Sequence, residues 1–404
     1  MSGAPVAPRG PRPAQDRPAA QRRQRILLIG PRPPPECGTS IPFDALVRFV
    51  RGRAAADVAV INTTSGSKRG YSLASKRVLG PFAGIFASFM KQIGRCDTIL
   101  IYGSQRFAAT AGSLFSVIAS LLGKKAGIYV QGGGFDVYYS SLAPACRAGV
   151  RFAFRRARAV GVQTEQLRRS LREEFPNLSV IPNWTDLGSS PLDVALAPAG
   201  AAGGGRPAEK PAGEVRFLYL GQVKREKGIL PLIEAFRGAH ERLSARGVAS
   251  RLDIYGPEVD GVLAEARQIL IEMKDLIVHR GEVAHERIPE VLRSSDILAL
   301  PTAWPTEGYP AVVIEAMTHG LPVIATRFRA LPEIVAHDAT GLLCEPGDAA
   351  SLMECMVRLA ADPELRRSMG EAGRKAARRF DSAAVLPILC RTFGIRLADV
   401  DEAQ

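Results

Sequence analysis

Residues 307–316 read EGYPAVVIEA and follow an apolar run that ends at Leu300-Pro301. Gly308 and Pro310 suit a turn that opens a helix, because proline fits the first helical turn, where its missing N–H costs nothing. The segment therefore predicts a strand, a turn and a helix in succession, which is the repeating unit of an α/β fold. The start of such a helix presents free backbone N–H groups, and these groups and the helix dipole favour an anionic phosphate.

Two carboxylates flank this helix start. Glu307 lies just before the predicted helix, and Glu315 lies one to two turns into it. A ligand lying across the helix start could meet one carboxylate at each end, and carboxylates accept hydrogen bonds well from sugar hydroxyls and ribose diols. By spacing alone, a solvated helix with two incidental glutamates is the commoner arrangement.

Strand-like and helix-like segments alternate along most of the chain. The predicted strands are 25–30, 57–62, 97–102, 125–131, 159–163 and 178–182 in the first half, and 215–221, 251–255, 276–279, 296–301 and 322–326 in the second. Such alternation indicates βαβ units and parallel sheets. The predicted fold class is α/β, with two Rossmann-like doubly wound domains facing a cleft, and ligands bind such sheets at the carboxyl ends of the strands.

The domain boundaries follow from composition. The predicted segments are a disordered tail at 1–24, a first domain at 25–185, a flexible Gly- and Pro-rich linker at 186–214, a second domain at 215–385, and a C-terminal helix and tail at 386–404 that crosses back to the first domain. The linker has too few large apolar side chains to pack.

Charge is unevenly distributed between the two halves. Residues 1–195 carry 27 Lys or Arg and 11 Asp or Glu, a balance of +16, whereas the remainder carries 26 and 29. A basic first half predicts an anionic partner such as phospholipid headgroups, a lipid diphosphate or an acidic glycan. A basic surface that only aids solubility is the alternative. No recognisable nucleic-acid-binding module accompanies the charge, so no nucleic acid partner is predicted.

Six cysteines occur singly, and none forms a C-x-x-C pair, so neither a zinc site nor a disulfide framework is indicated. Residues 1–24 lack the apolar segment of a signal peptide, and no run of about 18 apolar residues predicts a membrane-spanning helix. These features predict a cytoplasmic protein.

The helix segment belongs to a longer ordered series of motifs. The series runs FLYLGQVKREKGI, VHRGEV, SSDILALPT, EGYPAVVIEAMTHGLPVIAT, LPEIV, HDATGLL and EPGD, with weaker matches at GPRPPPECGTS, IYVQGGGFDVYY, VQTEQL and IPNW. This series resembles the retaining family 4 glycosyltransferases, which have the GT-B fold. The resemblance implies that the second domain binds a nucleotide-sugar donor and that the first domain binds the acceptor.

The resemblance also implies roles for individual residues of the second domain. Glu307 would contact the transferred sugar, Glu315 would hold the ribose, and the backbone of Gly308, Tyr309, Ala311 and Val312 would bind the sugar and the distal phosphate. Lys227 matches the lysine that neutralises the leaving diphosphate. Gln222 replaces the arginine that usually accompanies it. Lys224 or Arg225 could substitute for that arginine, although neither occupies the matching position.

Two departures from the family lie in the first domain. The loop that carries Gly38 resembles the glycine-rich loop that approaches the diphosphate, but Cys37 replaces its first glycine. Gln131 stands where many members have a histidine near the reacting sugar. Gln131 is therefore a candidate catalytic residue that can donate and accept hydrogen bonds but cannot titrate.

The predicted reaction is glycosyl transfer with retention, in which fixed donors such as Lys227 stabilise the departing diphosphate. The expected partners are a nucleotide-sugar donor and a glycan or lipid-linked acceptor. The donor is a substrate, and no cofactor or metal is predicted. The alternatives are an epimerase or a phosphorylase with the same architecture, or a non-catalytic protein that binds nucleotide sugars or glycans. The absence of a first-domain histidine and the replacement at Gln222 favour the last of these.

The first domain contains an apolar stripe and a basic stripe, and each has an interpretation that involves contact with a membrane. Phe82, Ile85, Phe86 and Phe89 recur at helical spacing between basic residues, which suits either a helix at an anionic membrane surface or a helix that faces the core. Arg147, Arg151, Arg155 and Arg158 fall on one helix face, which suits either a membrane-linked acceptor or plain solvation.

Overall fold

A computed structural model of the chain describes residues 23–54, 56–64, 79–186 and 213–398. Most of the predicted tail (1–24) and most of the predicted linker (186–214) lie outside the described residues. The described ranges form two parallel sheets, each covered by helices. The predicted fold class, two Rossmann-like α/β domains, is confirmed.

The first sheet has six parallel strands in the order β2-β1-β3-β4-β5-β6. Its strands are β1 (Gln24–Gly30), β2 (Ala56–Asn62), β3 (Thr98–Ser104), β4 (Lys125–Gln131), β5 (Val160–Val162) and β6 (Leu178–Val180). Its helices are α1 (Ser40–Arg53), α2 (Leu79–Ile93), α3 (Gln105–Phe107), α4 (Ser113–Leu121), α5 (Phe135–Ser141), α6 (Pro144–Arg156) and α7 (Glu165–Leu171). The strands are apolar on both faces, as strands covered by helices on both sides must be.

The second sheet repeats this plan in the order β12-β11-β10-β7-β8-β9. Its strands are β7 (Val215–Leu220), β8 (Ser250–Tyr255), β9 (Ile277–His279), β10 (Ile297–Leu300), β11 (Val323–Thr326) and β12 (Gly341–Cys344). The helices after β7 are α8 (Ile229–Ser244), α9 (Arg267–Glu272), α10 (Ile288–Arg293), α11 (Ala311–Thr318), α12 (Leu331–Ile334), α13 (Ala349–Ala361), α14 (Pro363–Ala377) and α15 (Ser382–Phe393). Strand β12 was not predicted from the sequence.

Helix α15 packs against the first sheet, although it follows the second domain in the chain. Its side chains Val385, Leu389 and Phe393 are buried with Phe43 of α1 on one face of that sheet. Gly127 of β4 lies so close to the Phe393 ring that a methyl group there would overlap it. The other face of the sheet is covered by a separate apolar cluster that includes α2, α4 and α6. The core of the first half therefore includes a helix from the far end of the described chain.

Residues 394–398, which follow α15, also form hydrogen bonds with the first domain. The Gln24 side chain donates to the carbonyl of Gly394 at 2.7 Å and accepts from the N–H of Arg396 at 2.9 Å. The N–H of Ala398 donates to the carbonyl of Arg53. Strand β1, the end of α1 and residues 394–398 are thus tied together by hydrogen bonds.

The apolar stripe on α2 faces the protein core. Phe89 is fully buried, and Phe82, Ile85 and Phe86 pack against the same cluster around Phe115 of α4. The Phe89 and Phe115 ring centroids are 4.5 Å apart. Of the two interpretations of this stripe, the structure shows the core-facing one. Within the described ranges, no helix combines the length and apolar character that crossing a bilayer requires.

Candidate functional site

The second sheet has a reversal of strand order between β7 and β10. These strands are neighbours and parallel, but β7 continues to β8 on one side and β10 to β11 on the other. Ligands of open α/β sheets bind in the crevice beyond the carboxyl ends of such strands. The two segments that leave these ends are 221–228 and 301–310, which contain the predicted residues Lys227 and Glu307.

The two segments are packed together at backbone level. Gly228 has φ 77° and sits against the carbonyl of Pro301 so closely that a Cβ atom could not be accommodated. The N–H of Ala303 donates to the carbonyl of Glu226 at 2.8 Å. A glycine at 228 is therefore required both by its backbone angle and by this contact, which fixes Lys227 beside the end of β10.

Lys227 and Glu307 form an ion pair at this position. The Lys227 Nζ lies 2.5 Å from Oε2 of Glu307, and both side chains are largely buried. The hydroxyl of Thr302, which is fully buried, donates to the same oxygen at 2.8 Å. Two donors on one carboxylate oxygen hold Glu307 in a single orientation, and a charged pair at the mouth of a crevice is suited to a polar, anionic ligand.

The predicted helix after Glu307 is α11. It begins at Ala311, so Pro310 is its N-cap residue and not part of its first turn. The N–H groups of Ala311 and Val312 belong to its first turn, where the helix itself cannot satisfy them. No side chain caps this end of the helix. Glu315 lies one turn after Ala311 on the same face and is half-buried. Burial raises the pKa of the Glu315 carboxyl, and the nearby His285 opposes this shift only in part.

The predicted residue Gly308 contacts the first domain, whereas the neighbouring Tyr309 bonds within the second. Gly308 lies directly against the backbone of Gly133, in the glycine run after β4, and against the Gln163 side chain. The Tyr309 hydroxyl donates to Oε2 of Glu333 at 2.6 Å. The glycine run of the first domain therefore closes over the peptide that joins Glu307 to Gly308.

Further polar contacts hold the two halves together. Glu333, on α12, accepts hydrogen bonds from the N–H groups of Glu165 at 2.9 Å and Gln166 at 2.8 Å, at the start of α7. Arg329 pairs with Asp136 at 2.7 Å and donates to the carbonyl of Gly133. Charged side chains of the second domain thus bind the backbone and a carboxylate of the first.

In the first domain, Gln131 links the end of β4 to the Gly38 segment. Its side-chain oxygen accepts from the Tyr102 hydroxyl at 2.8 Å, and its nitrogen donates to the carbonyl of Gly38 at 2.9 Å. Both polar atoms of Gln131 are therefore engaged within the first domain. A Cβ atom at Gly38 would meet no neighbour within 4 Å, so space remains in front of this segment.

Cys37, next to Gly38, is an exposed thiol at the start of α1. Partial burial of the sulfur raises the pKa of this thiol, but hydrogen bonding with the Ser40 side chain and with the N–H groups of Thr39 and Ser40 outweighs that effect. The net pKa of Cys37 is lower than that of an ordinary thiol.

The basic residues near Gln222 take different directions. Gln222 is exposed, and its carbonyl accepts from the Tyr219 hydroxyl at 2.7 Å. Arg225 points outward and pairs with Glu265. Lys224 points inward and places its ammonium over the Trp304 ring.

The structure thus brings together the predicted Lys227 and Glu307 at the start of α11, with Glu315 one turn into that helix. It also shows which of the two candidate substitutes for the missing arginine points inward, namely Lys224, and it adds residues that the sequence analysis did not identify, namely Thr302, Trp304, Asp136, Arg329 and Glu333. Thr302 and Trp304 closely follow the carboxyl end of β10. That position is the one local signal in the sequence by which they could have been identified. In the described part of the chain, no three His, Cys, Asp or Glu side chains are grouped as metal ligands.

Residues 206–376 match the family model described as Glycosyl transferases group 1. The matched segment carries Lys227, Glu307 and Glu315. The chain is 30% identical over 160 residues to N-acetyl-alpha-D-glucosaminyl L-malate synthase of Bacillus anthracis, and 30% identical over 167 residues to the putative colanic acid biosynthesis glycosyltransferase WcaL of Escherichia coli. Each alignment covers 40% of this chain, and 40% and 39% of the respective relatives.

The whole two-domain arrangement also has counterparts among solved structures. HepE of Anabaena, crystallised in complex with UDP, aligns with a TM-score of 0.66 at 16% identity, over 92% of this chain and 99% of HepE. At that identity the likeness concerns the fold, which is that of GT-B glycosyltransferases.

Proposed function

We propose that this protein is a retaining glycosyltransferase of family 4, which moves a sugar from a nucleotide-sugar donor to a glycan or lipid-linked acceptor. The observation that carries the proposal is the Lys227–Glu307 pair beside the open start of α11. The family match over the same segment supports it. The similarity to a colanic acid glycosyltransferase supports a role in cell-surface polysaccharide or glycolipid synthesis.

The donor diphosphate would lie between Lys227 and the N–H groups of Ala311 and Val312. A cation and a helix start both stabilise negative charge, and the charge on the diphosphate increases as it leaves the sugar. Glu315 would accept hydrogen bonds from the ribose hydroxyls, since it is accessible and lies one turn further along the helix. Glu307, held by Lys227 and Thr302, would accept hydrogen bonds from hydroxyls of the transferred sugar.

In the transfer step, the bond between the anomeric carbon and the diphosphate oxygen breaks while the acceptor oxygen bonds to the same carbon. The acceptor proton passes to the departing diphosphate oxygen, which lies on the same face of the sugar, so the anomeric configuration is retained. Gln131 would act indirectly, because its side chain holds the Gly38 segment through the Gly38 carbonyl.

A turnover assay tests the proposal. Radiolabelled UDP-glucose, UDP-N-acetylglucosamine, UDP-galactose and GDP-mannose are incubated with the full chain and lipid-linked acceptors, and transfer is followed by extraction. We expect turnover with one donor and at least 100-fold slower turnover for Lys227→Met, because removing one stabilising donor costs about 2.7–4 kcal/mol in comparable sites. An NMR spectrum of the product should show the anomeric configuration of the donor.

The outcomes separate the candidate functions. Binding of nucleotide sugars without turnover on any acceptor supports the alternative, a non-catalytic binding protein. Turnover that is unchanged in Lys227→Met contradicts the assigned role of this residue. An inverted product contradicts retention.

The proposal includes a peripheral location on the cytoplasmic face of an anionic membrane. The predicted α2 stripe is buried, so another surface must make the contact. Leu121 and Leu122 at the end of α4 are exposed, as is Phe152 of α6, and Arg156 lies over the Phe152 ring and donates to Ser120. Exposed leucines beside basic residues suit insertion into an anionic leaflet, where each basic residue near the surface contributes about 1 kcal/mol.

Co-sedimentation with phosphatidylglycerol vesicles at low salt tests this location. We expect the full chain to sediment, and Leu121→Ser with Leu122→Ser to weaken sedimentation. Ile388→Ser is the matched control, because Ile388 is an exposed apolar residue of α15 on the opposite face of the sheet. If the unmodified chain stays in the supernatant, the membrane part of the proposal is wrong.

A further inference from the structure

The segment 222–228 contains three basic side chains, and each has a different environment. Arg225 is exposed and paired with Glu265. Lys227 is paired with Glu307. Lys224 is 8% exposed as a whole residue and lies over the Trp304 ring, and Lys227 approaches the same ring at 5.3 Å. Two ammonium groups therefore face one aromatic ring at the mouth of the crevice.

The two ammonium groups differ in how closely a carboxylate approaches them. Glu307 is bound directly by Lys227. The nearest carboxylate to Lys224 is Glu226, whose Oε2 is 3.9 Å away and whose side chain is half-exposed. Burial lowers the pKa of Lys224, and the Lys227 ammonium adds to this, while Glu226, Asp260 and Glu307 oppose it. A buried ammonium whose paired carboxylate is 3.9 Å away and half-exposed can bind an anionic ligand more readily than one already held in a close pair.

Trp304 explains how this arrangement is maintained without a ligand. A tryptophan face attracts an ammonium, and the attraction is stronger where water is excluded. The position of Trp304 is fixed by its own segment, because its backbone N–H donates to the Thr302 hydroxyl at 3.2 Å and its indole N–H donates to the Thr306 hydroxyl. The Trp304 backbone is thereby linked to Thr302, which in turn donates to Glu307.

We propose that Lys224, held on Trp304, is the second cation of a nucleoside diphosphate site. It supplies the positive charge that Gln222 lacks. The inference rests on the proposed function, because it names a further residue for the same diphosphate. A diphosphate carries more negative charge than Lys227 alone can neutralise beside Glu307. An exposed glutamine at 222 can donate a hydrogen bond but brings no charge.

Titration calorimetry with UDP, UMP and uridine tests the inference; GDP and ADP with their monophosphates and nucleosides replace them if UDP does not bind. We expect Lys224→Met to weaken diphosphate binding by about tenfold or more, because it removes a charged donor. Nucleoside binding should change less than about twofold. Lys224→Arg should keep most of the diphosphate affinity, and Arg225→Met, the matched control, should keep all of it.

A rescue variant adds a second readout. Gln222→Arg in the Lys224→Met background should recover diphosphate affinity, since it returns a cation to the same phosphate group. Equal diphosphate affinity in the wild type and Lys224→Met overturns the inference, and so does an equal loss of nucleoside and diphosphate affinity, which would show a purely structural lysine. If the wild type binds none of the diphosphates, the proposed function fails together with the inference. If Lys227→Met loses diphosphate affinity and Lys224→Met does not, only the inference fails.

Discussion

At the scale of single residues, Glu315 combines an unfavourable environment with a position that a ligand can reach. It is half-buried on α11, and burial raises the pKa of its carboxyl above the ordinary value of 4.5. The ionised form is therefore less stable in the folded protein than in the unfolded chain. Residues of this kind are often retained for binding and not for stability.

Replacing Glu315 with Gln should move stability and binding in opposite directions. Because the folded-state pKa is raised, ionisation destabilises the fold as the pH rises above about 4.5 and through the raised value. At neutral pH we expect Glu315→Gln to have a higher Tm than the wild type without ligand, and the difference should vanish at pH values below the unfolded pKa. Binding of the nucleotide should weaken, because a ribose diol loses a charged acceptor.

Thermal unfolding with and without UDP, at neutral and acidic pH, measures both effects. Glu234→Gln provides the control, since Glu234 is exposed on α8 and undergoes the same charge change. A lower Tm for unliganded Glu315→Gln at neutral pH would show that the carboxylate is structural.

Sequence reasoning reached some residues of the site and missed others for a physical reason. Lys227 and Glu307 were predicted separately from motifs, and the structure shows that they touch. The inward direction of Lys224 depends on a ring 80 residues later in the chain, at Trp304. No local pattern encodes which of Lys224 and Arg225 turns inward, because the choice follows from how two distant segments pack.

At the scale of helices and strands, hydrophobic runs predicted every strand except β12. Its sequence, Gly341-Leu-Leu-Cys344, is short and begins with a glycine, so its apolar run is no longer than many loops contain. The α2 stripe shows a different limit of sequence patterns, which concerns what a predicted helix contacts. Phe82 to Phe89 have the period of an amphipathic helix, but periodicity does not say whether the apolar side meets a lipid or the partner helix that carries Phe115.

Helix α15 yields a prediction about stability at this scale. Phe393 is 1% exposed and packs on Gly127 and Gly161 of the first sheet. Phe393→Ala should destabilise the first domain by about 3–5 kcal/mol, because a large core side chain is lost and a cavity remains. Denaturant unfolding measures the change, and Arg391→Ala, exposed on the same helix, should have little effect. A small effect of Phe393→Ala would mean that the first sheet is stable without α15.

At the scale of the whole molecule, a few charged side chains hold the two domains together beside the Glu307 site. The Glu333 carboxylate receives two backbone N–H groups of α7 and the Tyr309 hydroxyl, and Arg329 reaches Asp136 and Gly133. The same contact brings Gly133 against Gly308 beside Glu307. The position of one domain on the other therefore determines whether the Glu307 site is covered.

Glu333→Gln should weaken this contact. An amide has one acceptor oxygen where the carboxylate has two, so at least one of the N–H groups of Glu165 and Gln166 loses its partner. We expect at least one of these two amides to exchange hydrogen about tenfold faster or more, because bonds to a charged acceptor contribute about 1.5–3 kcal/mol, and we expect turnover to fall.

Hydrogen exchange and steady-state kinetics make this comparison. Glu345→Gln serves as the control, because Glu345 forms an exposed pair with Arg327 inside the second domain. Unchanged exchange at residues 165 and 166 would show that the domains are held by other contacts.

The packing of α15 and residues 394–398 on the first sheet has a consequence for how the chain is made on the ribosome. Strands β1 to β6 emerge first, but the helix that covers one face of their sheet is translated about 200 residues later. At about 5–20 residues per second, the part of that face that α15 covers stays exposed for roughly 10–40 s while the second domain is synthesised and can already fold. The half of the protein that is translated first is therefore the last to complete its fold. Its exposed apolar surface can bind chaperones during translation.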